Sequence, residues 1–454
     1  MSEKDISFRD RPINMDEKGA RKWVYAKKPK GKWYTRRTIF SWFALLFFIG
    51  APFIKINGNP FILLDIAHRK FIIFGAIFWA QDTFILAMLM LSFVIFIVLF
   101  TVTFGRIWCG WACPQTIFLE MVFRKIEYLI EGDYKKRYKL DSGPWTIEKG
   151  IKKITKHTIF IVISIAMTNT FLLWFMGPEG LFDLVKDPIS EHLSGFVIMI
   201  AISGFFYWVY SFFREQICTM VCPYGRMQGV LLDSKSIVVS YDYKRGEPRG
   251  TKQTGDCIDC RQCISVCPTG IDIRNGIQLE CINCTACIDQ CNSVMKSVKK
   301  PVGLIRFDSE YGIQKGNKSI WSTRNRAYSV VLVIIFSFFV YTLFSRPAIE
   351  TTILRTPGLL YQQNDDNTIS NVYNIKIVNK THDEMKLDIK LISHDGIISM
   401  AGNSMTVKDQ NMFESTFLLF IAEKNIKSDK TKIEFGIYSN NELIETFKTT
   451  FVGP

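Results

Sequence analysis

Two cysteine quartets in tandem limit this chain more than any other feature: Cys257-x2-Cys260-x2-Cys263-x3-Cys267-Pro268, then Cys281-x2-Cys284-x2-Cys287-x3-Cys291. The close spacing lets one loop wrap three corners of a four-iron cubane, while the fourth cysteine of each run ligates the other cluster. The pattern assigns Cys257, Cys260, Cys263 and Cys291 to one 4Fe-4S cluster, and Cys281, Cys284, Cys287 and Cys267 to a second. Zinc prefers two separated C-x2-C pairs, and eight cysteines in this doubled register argue against it. Such a segment exchanges electrons one at a time.

The chain has 454 residues, is 48% hydrophobic and carries a formal net charge of +14. Those facts conflict in a soluble enzyme and agree in a membrane protein with basic cytoplasmic loops. Nucleic-acid binding is not expected, because the positive charge clusters beside apolar runs and no aromatic-basic motif appears. Apolar runs at about 38–56, 84–103, 158–177, 194–213 and 327–344 each have the length to cross roughly 30 Å of hydrocarbon. The first starts too far along the chain for a signal peptide. Residues 71–80 are apolar but short, and fit an interfacial or re-entrant segment.

Lys/Arg counts give the orientation. The polar tail before residue 38, which reads as flexible, has twelve; the 57–83 loop has two; the 104–157 loop has eleven; the 178–193 loop has one. The N-terminus and the quartets are therefore expected in the cytoplasm, where thiols stay reduced. The expected order is a cytoplasmic tail (1–37), transmembrane helices one to four (38–213), a cytoplasmic loop (214–326) holding a dicluster domain at about 248–300, a fifth helix (327–345) and an outer domain (346–454). In that outer domain, period-two stretches at Tyr373–Val378, Met385–Leu391, Thr416–Ile421, Lys432–Tyr438 and Leu443–Phe451 predict an immunoglobulin-like β-sandwich.

Four cysteines remain. Cys109-Gly-Trp-Ala-Cys113-Pro114 follows the second run and Cys218-Thr-Met-Val-Cys222-Pro223 follows the fourth, each with Phe five residues before its first cysteine (Phe104, Phe213). This repeat, a hairpin and then C-x3-C-P, should bring both motifs to one membrane face. Either the two thiols share one helical face, or the second caps a new helix that starts at proline. Soft thiolates select Cu(I), zinc or iron–sulfur clusters. Arg106 and Arg214 could favour thiolates, or could simply be interfacial anchors. His68, His157 and His192 read as interfacial and His382 and His394 as solvated; none is placed for a bis-histidine haem.

The segments Phe104–Thr116 (FGRIWCGWACPQT) and Cys218–Gln228 (CTMVCPYGRMQ) resemble the two C-x3-C-P blocks of the cytochrome c oxidase accessory proteins of the CcoG/FixG group. Leu64–Phe71 (LDIAHRKF) and Phe78–Asp82 (FWAQD) are also similar to that family, and the resemblance covers nearly the whole chain. It implies an α-helical membrane protein with five transmembrane helices, an inserted dicluster ferredoxin and an outer immunoglobulin-like domain, in a bacterial inner membrane. It also implies a role in assembling a cbb-type oxidase by reducing Cu(II) to Cu(I). On that mapping Cys109, Cys113, Cys218 and Cys222 form the copper site, and the partners are oxidase subunits or copper carriers and a cytoplasmic electron donor. Asn292 departs from the pattern where the first quartet has Pro268. A quinol-oxidising membrane ferredoxin and a non-enzymatic assembly scaffold or redox sensor are the alternatives.

Overall fold

The computed structural model describes residues 21–454 except 57, 67–69, 80–81, 251–253, 317–321, 348, 365–366, 382, 401–404, 409–410, 427 and 440. Most of the tail, His68 and His382 lie outside the described residues. The chain divides into two compact units, Met1–Phe339 and Val340–Pro454.

In the first unit, helix α1 (Lys32–Gly50) is followed by α2 (Thr83–Phe104), then by short helices α3 (Ile107–Trp111) and α4 (Pro114–Ile117). A π turn leads into α5 (Arg124–Ile130). Next come the long α6 (Ile147–Lys186) and α7 (Leu193–Trp208), the latter extended by a π turn to Phe213. Then follow α8 (Pro223–Leu231), α9 (Ala286–Ser297) and α10 (Thr323–Phe344). Among the described residues, four helices are long and apolar enough to cross a membrane: Thr83–Phe104, Ile147–Lys186, Leu193–Phe213 and Thr323–Phe344. They match the second to fifth expected spans. The third ends as expected near 177, where Gly177 (φ 73) and Pro178 break the helix.

The first expected span differs. Helix α1 starts at Lys32 and includes Arg36 and Arg37, so its uncharged part, 38–50, rises only about 20 Å, short of a bilayer core. Gly50 and Pro52 then turn it into extended chain. The described part of the expected re-entrant segment at 71–80 also differs, and residue 80 lies outside the described residues. It belongs to a three-stranded antiparallel sheet of β1 (Ile62–Asp65), β2 (Lys70–Ile73) and β3 (Ala76–Phe78). A two-residue turn, Phe74-Gly75, with both φ positive, joins the last two strands.

The end of the tail is not loose. Residues 21–31 lie along the unit as a strap: the Tyr25 hydroxyl donates to Asp141 (2.8 Å), and the Lys27 and Lys28 amides donate to Ser265 O (2.8 Å) and Asp133 (2.9 Å). Asp289 on α9 accepts from the Trp33 and Tyr34 amides, so a ferredoxin carboxylate caps α1.

The second unit is a two-sheet β fold. β6 (Ile349–Arg355), β7 (Thr368–Asn379), β9 (Gly396–Met400) and β11 (Met412–Ala422) form one sheet in the order β9-β11-β7-β6, with Gln362–Gln363 at its edge. β8 (Met385–Leu391), β10 (Met405–Val407), β12 (Lys430–Ser439) and β13 (Glu442–Val452) form the other, ordered β10-β8-β12-β13. Alternate residues point inward: Tyr373, Ile375 and Ile377 from β7 meet Phe417 from β11 and Phe435 from β12 in one core. All five expected strands are present. Strands at 349–355, 396–400 and 405–407 complete the sheets; the last two are too short to show a period.

Candidate functional site

Two cavities of near-equal size, about 360 and 350 Å³, lie side by side in the ferredoxin segment. The first is lined by Cys257, Cys260, Cys263 and Cys291, and the second by Cys267, Cys281, Cys284 and Cys287, with Cys263 on their shared wall. Each therefore gathers the crossed quartet that the spacing assigns. The two loops repeat each other's backbone: Asp259 and Arg261 in the first, and Asn283 and Thr285 in the second, all have positive φ at matching positions. An antiparallel ribbon of β4 (Val238–Tyr241) and β5 (Ile305–Asp308) backs both cavities, Val239 facing one and Tyr241 the other. The ribbon lies outside the expected 248–300 because four-residue strands leave little sequence signal. Asn292 stands where Pro268 stands in the first run because α9 continues through it. Proline would break that helix, and the Asn292 side chain accepts from the Gly303 amide at 2.8 Å.

The donor set fits iron–sulfur clusters. Burial pushes the Cys263, Cys281 and Cys291 thiols up to about 12 and that of Cys284 up to about 11. Iron must therefore displace the protons itself, as metal binding by thiols requires.

The C-x3-C-P repeat is built from the same local geometry twice. Helix α2 ends at Phe104 and the α7 π turn ends at Phe213; the next residues, Gly105 (φ 59) and Arg214 (φ 51), both leave the helical region. A helical turn then carries the first cysteine, Cys109 or Cys218. The second cysteine, Cys113 or Cys222, is the N-cap of a new helix with proline in its first turn, α4 or α8. The capping geometry is thus the one adopted, and the Cys113 sulfur accepts from the Gln115 and Thr116 amides.

The four sulfurs converge. Cys218 feels the charges of Cys113, Cys109 and Cys222, and Cys113 feels that of Cys222. Burial pushes Cys218 up to about 12 and raises Cys109 and Cys113. Cys109 is buried and the other three are half-buried, so one side of the quartet is open.

The two arginines part company. Arg106 hydrogen-bonds the Cys109 sulfur and the Leu279 carbonyl, just before the second cluster loop. Arg214 instead makes a buried fork with Glu127, which also pairs with Arg137 at 2.8 Å. Burial alone would raise the Glu127 carboxyl, but those guanidiniums hold it well below the usual carboxylate range. Lys153 and Lys156 of α6 pair with Glu131, both at 2.8 Å, and Arg21 of the strap pairs with Glu215 at 3.2 Å. This buried network binds α5, α6, the second motif and the strap together.

Contact between the first thiol motif and the second cluster loop is direct. A Cβ on Gly110 would lie 2.2 Å from the Ile282 carbonyl oxygen and 3.1 Å from the Cys284 amide, so only glycine lets α3 lie on that loop. Cys109 shares an apolar cluster with Ile282, Cys284, Ala286 and Cys287. Gly225 plays the same part for the other motif, where a Cβ would meet the Cys218 carbonyl and the Arg106 guanidinium. Fully buried Gln228 accepts from the Cys109 thiol at 3.4 Å. Gly110, Gly225 and Gln228 escape a sequence reading because their importance is a close approach between distant segments. Among the histidines, His157 accepts from or donates to Tyr207 (2.9 Å), and His192 meets Asp187 (3.2 Å) in an exposed cluster with Glu191.

Membrane helices, a ferredoxin core with two four-cysteine cavities and a separate β unit define a membrane-bound iron–sulfur electron-transfer protein. The 4Fe-4S dicluster domain family matches residues 213–253 and 247–310, and a 4Fe-4S binding domain family matches 86–137. The IG-like fold found at the C-terminus of FixG matches 339–454. Protein RdxB of Cereibacter sphaeroides is 33% identical over 408 residues, 85% of each chain. Nitrogen fixation protein FixG of Rhizobium meliloti is 35% identical over 311 residues, 63% of this chain and 57% of that protein. A crystal structure of a FixG-related protein from Vibrio parahaemolyticus covers 24% of this chain and 97% of its own at 20% identity, with a TM-score of 0.20. The chain belongs to the RdxB/FixG family.

Proposed function

We propose that this protein reduces Cu(II) to Cu(I) for insertion into a cbb-type cytochrome c oxidase, at a bacterial inner membrane with the ferredoxin on the cytoplasmic face. Cys257, Cys260, Cys263 and Cys291 would hold one 4Fe-4S cluster, and Cys267, Cys281, Cys284 and Cys287 the other. When bound, such clusters supply single electrons, the number Cu(II) needs to become Cu(I). The carrying observation is the seating of Gly110 and Cys109 on the Ile282–Cys287 loop. It puts Cys109 against the second cavity's loop, and Cys113 and Cys222 interact with Cys218, which in turn interacts with Cys109. Their soft sulfurs favour the reduced ion. Arg106 and Gln228 orient Cys109, and the half-buried Cys113, Cys218 and Cys222 leave an approach for copper.

The test is anaerobic: purified protein with intact clusters, reduced by dithionite, is freed of excess reductant and given Cu(II) with a Cu(I)-specific chelator. Stoichiometric Cu(I), lost in Cys109→Ser/Cys218→Ser while the ferredoxin signals persist, supports the reading; clusters that stay reduced in the presence of Cu(II) overturn it. A quinol-oxidising role has one observation in its favour, an apolar groove of about 740 Å³, twice the volume of either cluster cavity, between α2 and α10 and lined by Phe93, Phe96, Val333 and Phe336. Quinol-dependent reduction of the clusters in vesicles would favour it.

A further inference from the structure

We infer that Cys109, Cys113, Cys218 and Cys222 together hold an iron–sulfur cluster of their own, a third one, shared between the two halves of the membrane domain. The inference rests on the reading that these thiols end the electron path, and it names what resides there.

Spacing is the first ground. Four thiolates around a single tetrahedral ion lie about 3.8 Å from one another, since each metal–sulfur bond is about 2.3 Å. Among the described residues, no three of these four sulfurs lie within 4.8 Å of one another. The same holds for the sulfurs of both ferredoxin quartets, which line cavities sized for clusters. All four nevertheless interact electrostatically, Cys218 with each of the other three. A quartet that is convergent yet too wide for one ion suits a group with several metal atoms. A Cu(I) ion held by two of the thiols would leave the other two idle.

The second ground is an excess of donors. The amides of Gln115 and Thr116 point at Cys113, and Arg106 reaches Cys109. Gln228 is fully buried against Cys109, and its side-chain Nε2 has no hydrogen-bond partner. A buried unpaired N–H is costly, so a site that keeps one has an acceptor to offer it. Copper brings no acceptor of its own. The inorganic sulfides of an iron–sulfur cluster do, and hydrogen bonds to sulfur tune its potential.

The third ground is a count. The segment 86–137 matches a family described as a 4Fe-4S binding domain, yet it contains only Cys109 and Cys113. Two thiols do not ligate a cluster of that kind. The fold supplies the missing pair, Cys218 and Cys222, in the same helix-then-N-cap geometry. On this assignment copper is a substrate that takes its electron at the open edge of the site, and does not occupy the four thiols.

Full-length protein, reconstituted anaerobically in detergent, should hold about twelve iron per chain if the third cluster has four irons, or about ten if it has two. Cys113→Ser/Cys222→Ser should lower that figure to about eight and remove one set of paramagnetic signals while the ferredoxin signals stay. Gln228→Leu, which keeps all twelve cysteines, should keep the iron but shift the reduction potential of that set alone. About eight iron in the parent protein, unchanged in the double variant, overturns the inference, as does a Gln228→Leu spectrum and titration identical to the parent's. Copper reduction is scored separately. Three clusters without copper reduction would sink the copper reading and leave this one; two clusters with copper reduction intact would do the reverse.

Discussion

Each ferredoxin cavity takes its four thiols from one short run, residues 257–291, whose loops pack on a local apolar core that includes Val239, Ile271, Ile288 and Leu304. The membrane-face quartet takes two thiols from the end of each helical hairpin, and nothing local holds the pairs together. What holds them is a buried charge network around Glu127 and Arg214, with glycines at 110 and 225 admitting close backbone contact. The ferredoxin should therefore fail when its own loop is damaged. The quartet should fail when packing elsewhere is damaged.

The largest expected break comes from Glu127→Ala. It removes the closest counter-charge of buried Arg214 and Arg137, leaving only Glu215 at 3.7 Å and Glu131 at 3.6 Å, at a cost of about 3 kcal/mol. Oxidative Cys109–Cys218 crosslinking should be lost while the ferredoxin signals survive; loss of both together would show that the two regions do not fail separately. Asn292→Pro tests the opposite side. It should cost about 3 kcal/mol by breaking α9, displace Cys291 and empty the first cavity, and leave the crosslink in place. Iron analysis alongside crosslinking reads both.

Gly110→Ala comes next. The added methyl must push α3 off the Ile282–Cys284 backbone, and a shift of about 1 Å can cost roughly a hundredfold in rate. Iron content should hold while electron delivery to Cu(II) slows, as stopped-flow mixing would show. Acid gives the smallest effect. Glu127 is held below the usual carboxylate range in the folded protein, so its stabilisation is present above the unfolded value of about 4.3 and fades as pH falls below it, by at most about 1.4 kcal/mol per unit. Thermal melts of the parent between pH 5 and 3 should show this slope, and Glu127→Gln should lack it.

Much of this was legible without coordinates. The crossed grouping of the cysteines at 257–291 around two cavities needed only spacing, because a four-iron cube fixes how far apart its cysteines would sit. Spans two to five needed only length and apolarity. The first span misled, because 38–56 is continuous in composition while Gly50 and Pro52 end its helix. The hairpin at 70–78 was hidden because its residues are apolar on both faces. Arg214 looked equivalent to Arg106 by position, yet one pairs with Glu127 and the other with Cys109.

By itself the sequence determined the chemistry: two cluster sites, a membrane-embedded body, a β-sandwich and a repeated thiol motif. Each of these is set by local spacing or by the period of apolar residues, which the chain carries wherever it goes. Tertiary structure alone decided that the two motifs meet, that Cys109 lies against the second cluster loop, and that Gln228 is buried against the Cys109 thiol. Those facts depend on approach between segments far apart in the chain, where a missing Cβ or a buried ion pair sets the distance and no local pattern records it.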